Sequence, residues 1–123
     1  MEQRQDGTVQ ILHIALLPDW EHAVAAGAYR ISTIGRTIDD EGFIHASTAE
    51  QVQGTASRYY AGRTEPLVVL VLDTDRLAAG GVPVRFDEVA PGVEFPHLYA
   101  EVPVTLVDDV RPAAFDADGA LRY

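Results

Sequence analysis

Pro66-Leu67-Val68-Val69-Leu70-Val71-Leu72-Asp73 is the stretch on which the fold turns. Its run of aliphatic residues, closed by a proline and an aspartate, has no polar side to turn toward water. That pattern predicts a strand buried on both faces. It is the spine of the core.

Working toward the N-terminus, Val9-Gln10-Ile11-Leu12-His13-Ile14-Ala15-Leu16-Leu17 reads as a second buried strand, with His13 inside it. Pro18-Asp19-Trp20-Glu21 then opens a short helix. Proline suits a first turn because its missing N–H would have no partner there, and acidic side chains favour the positive end of the helix dipole. Trp20, Val24 and Ala28 share one face, and Gly27 marks the end. Residues 29–41 keep no sustained period and read as a loop with short extended pieces at most. Gly42-Phe43-Ile44-His45-Ala46 is a further strand, and Ser47 or Thr48 caps the helix after it, Thr48 and Gln51 having capping-box spacing. Along 49–61, Val52, Ala56 and Tyr59 are spaced to face inward.

Toward the C-terminus, Thr74 to Ala79 forms a helical turn stopped by Gly80-Gly81, and Val82-Pro83-Val84-Arg85-Phe86 resumes strand alternation at a sheet edge, as its proline indicates. Ala90-Pro91-Gly92-Val93 is a turn, His97-Leu98-Tyr99 a strand fragment, and Val102 to Val107 a last strand. The expected organisation is a flexible N-terminal tail over 1–8, one α+β domain over 9–112 and a C-terminal tail over 113–123.

A chain of 123 residues, 47% apolar and 23% charged, matches one globular domain. Nineteen acidic residues against nine basic ones give a net charge of −10, which weakens attraction to nucleic acids and anionic membranes. All nine cations are arginines, and one such as Arg30 or Arg58 could help hold a phosphate in a local pocket. No cysteine is present, so thiolate metal sites and cysteine nucleophiles are excluded. The polar start lacks a signal-peptide core, and no apolar run approaches the ~20 residues that span a bilayer. A cytoplasmic protein without membrane partners is expected.

His13, His45 and His97 lie in or beside strands, whereas His22 falls on a polar helix face. Taken singly, each strand histidine could equally be a structural one bonded to a carbonyl. No His-x-x-x-His or His-Glu-x-x-His pair occurs, and no metal is expected, although a metal-dependent enzyme using the three strand imidazoles is an alternative. Ser47 lacks a Gly-x-Ser-x-Gly elbow; with Thr48 at a strand-to-helix junction it could instead receive an anion on free backbone N–H groups. Glu94-Phe95-Pro96-His97-Leu98-Tyr99 places an acid, an imidazole and a phenol within one short segment. Strand alternation puts His97 and Tyr99 on one face and Glu94 on the other, unless Pro96 bends the chain.

Ile-Leu-His-Ile-Ala with Trp20, Gly-Phe-Ile-His-Ala-Ser-Thr with Gln51, Leu-Val-Leu-Asp, and Glu-Phe-Pro-His-Leu-Tyr, in that order, resemble the domain-of-unknown-function 952 family over residues 10–112. A more distant similarity is to the RNA 2′-phosphotransferases and the ADP-ribosyltransferase fold. That resemblance implies a split, mostly antiparallel sheet with two or three short helices, gripping NAD. By the same resemblance, His13 would bond the nicotinamide ribose, His45 would stand against the nicotinamide ring and Glu94 would be the late-strand acid.

The expected function is binding of NAD or a related nucleotide, with a possible ADP-ribosyltransferase-like or NAD-cleaving activity. His45, Glu94 and His97 are its catalytic candidates; His13, Ser47, Thr48 and Tyr99 are its ligand-binding candidates. The competing expectation is a non-catalytic small-molecule or nucleotide-binding module. Oligomeric state is not legible.

Overall fold

The structure is a computed structural model in which residues 9–123 are described; the expected tail over 1–8 lies outside the described residues. Strand β1 (Gln10–Leu16) runs into helix α1 (Leu17–Ala26), followed by three short strands, β2 (Ala28–Tyr29), β3 (Ile31–Thr33) and β4 (Arg36–Thr37), and a single-turn helix α2 (Ile38–Glu41). Next come β5 (Ile44–His45), helix α3 (Val52–Tyr59), the long strand β6 (Leu67–Asp73) and helix α4 (Thr74–Ala79). The hairpin β7 (Val84–Ala90) and β8 (Val93–Leu98), the short β9 (Val102–Pro103), β10 (Asp109–Phe115) and β11 (Leu121–Arg122) complete an α+β domain.

β6 is central, as its composition predicts: every one of its residues is buried, and it pairs antiparallel with β1 on one side and β10 on the other. Alternation sends its side chains into two cores. Val68, Leu70 and Leu72 join Ile11, Ala15, Tyr29, Ile44, Leu77 and Leu98 on one face. Leu67, Val69 and Val71 join Leu12, Ile14, Val52, Ala56 and Tyr60 on the other. Each fully buried aliphatic side chain contributes roughly 1.5–3 kcal/mol of transfer free energy. The doubly covered strand is therefore the dominant stabilising element.

A second sheet has the order β5-β8-β7, with β7 at its edge. The two sheets meet where Leu12 and Ser47 exchange both backbone hydrogen bonds, each 2.8 Å. That bridge carries β5 and its histidine to the flank of β1. The pieces are mostly short and antiparallel, split between sheets.

Several local expectations change. Gly42 does not start a strand; it ends α2 in the left-handed region, at φ 88°, which a residue without Cβ adopts freely. Helix α3 begins at Val52, several residues past Ser47. The Gln51 side chain does accept from the Thr48 N–H at 3.1 Å. The buried stripe of α3 is Val52, Ala56 and Tyr60, while Tyr59 is 52% exposed, because the helix ends at Tyr59 and the chain turns inward one residue later. On α1, Ala23 rather than Val24 is buried. The segment from Val104 to Leu106 is a 3-10 turn, not a strand. Residues beyond 112 are not a tail but continue β10 to Phe115 and return as β11, with Leu121 buried. None of the helices among the described residues is long and apolar enough to cross a membrane.

Candidate functional site

His13 points from β1 into the first core and is 4% exposed. Its Nδ1 lies 2.5 Å from the His45 carbonyl oxygen and its Nε2 2.9 Å from the Tyr29 hydroxyl. A carbonyl can only accept, so Nδ1 carries the proton and Nε2 takes one from Tyr29. Burial pushes its pKa down to about 4, against the smaller upward pull of the His45 carbonyl, which keeps the ring neutral. Both nitrogens are engaged within the fold. His13 pins β5 to β1 and offers no free nitrogen to the ribose that the resemblance assigned to it.

The pinned strand and its neighbour β8 carry the other two imidazoles in register, His45 opposite His97. Their rings meet edge to face with centroids 5.2 Å apart. Phe43 stacks on His97 at 4.0 Å and 15° and meets the edge of His45 at 4.9 Å. Each imidazole has its own carboxylate. His45 Nε2 is 2.8 Å from Glu41 Oε1, and Arg36 donates to Oε2 of the same acid at 2.6 Å. His97 Nδ1 is 2.8 Å from Asp87 Oδ2, an oxygen that also accepts from the Tyr99 hydroxyl. These donors hold both carboxyls below their usual pKa, His45 leading at Glu41 and Tyr99 at Asp87. Asp87 in turn raises the Tyr99 phenol.

An ionised Asp87 can only accept, so Nδ1 of His97 donates and, in the neutral ring, Nε2 keeps its lone pair. His97 is 4% exposed, and its Nε2 is the one buried side-chain polar atom among the described residues without a hydrogen-bond partner. A buried polar atom left unpaired is costly and therefore informative. A cleft of about 650 Å³ is lined among others by His45, His97, Ser47, Thr55, Arg58 and Phe95.

Other candidates lie outside this arrangement. Ser47 reaches the cleft but is 3% exposed, with its hydroxyl 2.9 Å from that of Thr55. Thr48 and Tyr99 are not among the lining residues, Tyr99 acting through Asp87. Glu94 is exposed on the far face of β8, and it is its backbone oxygen that meets Gln51 Nε2, at 2.6 Å. No group of three or more His, Asp or Glu among the described residues is arranged to hold a metal, and the engaged His13 removes one ligand of the expected trio. Sequence reading missed Glu41 and Asp87. Glu41 was findable four residues before His45; Asp87 carried no local signal.

Comparisons with known proteins give a family and no activity. Residues 14–110 match the family model described as "Protein of unknown function (DUF952)". The crystal structure of protein CC0527 from Caulobacter crescentus is similar at TM-score 0.78 and 31% identity, covering 93% of this chain and 94% of that one. A solution NMR structure of CC0527 is similar at TM-score 0.72 and 31% identity, covering 90% of each chain. No curated protein matches.

Proposed function

The chain belongs to the DUF952 family of proteins of unknown function, and from the geometry of its cleft we propose that it binds NAD or a related ribonucleotide there. The observation that carries this reading is His97 Nε2, a buried and unpaired atom on a ring that Asp87 orients and that belongs to the lining of the cleft. A neutral imidazole so held accepts a hydrogen bond from a hydroxyl, and ribose offers hydroxyls. Phe43 stacks on the face of the His97 ring, and the cleft volume of about 650 Å³ falls in the range of small-molecule sites.

Cleavage of the nicotinamide–ribose bond would develop positive charge at the anomeric carbon and require a nearby anion. Glu41 and Asp87 are the carboxylates held against the two cleft-lining imidazoles. Glu94, which points away, is not proposed for that role. Isothermal titration of the full chain with NAD and ADP-ribose, with a nicotinamide-release assay alongside, tests the reading. Binding that is lost in His97→Phe and kept in Glu94→Gln is expected. Absence of binding by the wild type overturns the reading, and binding without release assigns the chain to the non-catalytic class.

A further inference from the structure

Arginine supplies all the side-chain cations of this acidic chain, and among the described residues these cations are almost all neutralised. From Arg30, held by Asp39 and Glu101, to Arg122, held by Asp116, every described arginine but one has a carboxylate partner. The exception is Arg58. It is exposed, and it lines the same cleft as His97.

Its placement follows from the helix. Val52, Ala56 and Tyr60 face the core, which leaves Gln51, Gly54, Thr55 and Arg58, three or four apart, as a stripe along the cleft. Arg58 stands in the last turn of that wall. A cation there also complements the helix dipole, an effect on stability that is independent of any ligand. What the dipole does not account for is the unpaired buried nitrogen of His97 in the same cleft. Arg58 brings a guanidinium with donors for a planar or tetrahedral anion, and His97 brings a hydrogen-bond acceptor.

We propose that the cleft holds its ligand at two polar points: Arg58 holds a phosphate group and His97 Nε2 accepts a hydrogen bond from a sugar hydroxyl. The ligand class is then a phosphorylated sugar or nucleotide, not a free nucleoside. This rests on the reading of the cleft as a nucleotide site and assigns the ligand's orientation within it. The net charge of −10 repels anions at long range, so recognition is local and short-ranged.

Isothermal titration of the full chain and of Arg58→Gln with ADP-ribose, ribose 5-phosphate and adenosine decides the point. Thermal melting verifies that the exposed substitution leaves the fold intact. Arg58→Gln is expected to weaken both phosphorylated probes roughly tenfold or more while leaving adenosine unchanged. Wild-type affinity for the phosphorylated probes should also fall as salt rises. ADP-ribose binding that is indifferent to Arg58→Gln overturns the proposal and leaves the nucleotide reading standing. Arg58-dependent binding of ribose 5-phosphate without ADP-ribose does the reverse. If no phosphorylated probe binds the wild type, both fall.

Discussion

The imidazole of His13 donates from Nδ1 to the backbone carbonyl of His45 at 2.5 Å, so one histidine of the motif set holds another in place. With Tyr29 closing the circuit on Nε2 at 2.9 Å, the strand that carries His45 is tied to β1 by a side chain as well as by the Leu12–Ser47 bridge. His13 is thus structural here, and its role is to position the cleft.

Replacing this pin exposes its worth. His13→Phe fills the volume but leaves without partners a carbonyl and a phenol that are hydrogen-bonded now, each unsatisfied buried group costing roughly 1–3 kcal/mol. A loss of about 3 kcal/mol by urea denaturation is expected. A loss below about 1 kcal/mol would show that the contact is incidental.

The same residue sets a pH dependence. Its folded pKa of about 4 lies below the ordinary value of 6.5, so between these values the unfolded chain binds more protons and stability falls as pH falls. The contribution is fully present above about pH 6.5 and is lost progressively toward about pH 4, amounting to about 3 kcal/mol. Denaturation midpoints measured across this window should decline in the wild type and flatten in His13→Gln. The depressed carboxyls of Glu41 and Asp87 act lower in pH, where they are protonated, so the two contributions separate.

Adjacent tyrosines should respond unequally. Tyr60 is buried and its hydroxyl donates to the Ile14 carbonyl at 3.0 Å, burial lifting its pKa to about 12. Tyr60→Phe should cost about 1 kcal/mol, and Tyr59→Ala, on the exposed side, no more than about 0.5 kcal/mol. Equal losses in thermal or chemical melts would contradict the observed helix phase.

Asp87 should govern the tautomer of His97. In the neutral ring, nitrogen-15 NMR is expected to show the tautomer with its proton on Nδ1, and Asp87→Asn to disturb that pattern. The Tyr99 phenol, raised chiefly by its hydrogen bond to Asp87, should titrate at lower pH in the same variant. A Tyr99 titration unchanged by Asp87→Asn would remove Asp87 from the role of organiser.

What the sequence by itself determined is the set of elements whose burial pattern is local. Leu67 to Leu72 can only be a strand covered on both sides, because no polar face exists to meet water, and Val9 to Leu17 and the helices around Pro18 and Thr74 follow from equally local rules. The alternation that separates Glu94 from His97 is of the same kind. Glu41 stands four residues before His45, but tertiary structure alone decided that Asp87 serves His97. A regular ladder from the turn at Pro91 and Gly92 would carry the Ala90–Val93 pairing inward and set Asp87 opposite Pro96, on the wrong face. A register shift between Glu88 and Ala90 instead sets Asp87 opposite Phe95 and Arg85 opposite His97. One added residue turns the strand over. Likewise the stretch from Val104 to Leu106 reads as a strand but curls into a 3-10 turn, while β10 and β11 find their partners in β6 and in each other. Those choices depend on surfaces distant in the chain, which is why no local pattern announces them.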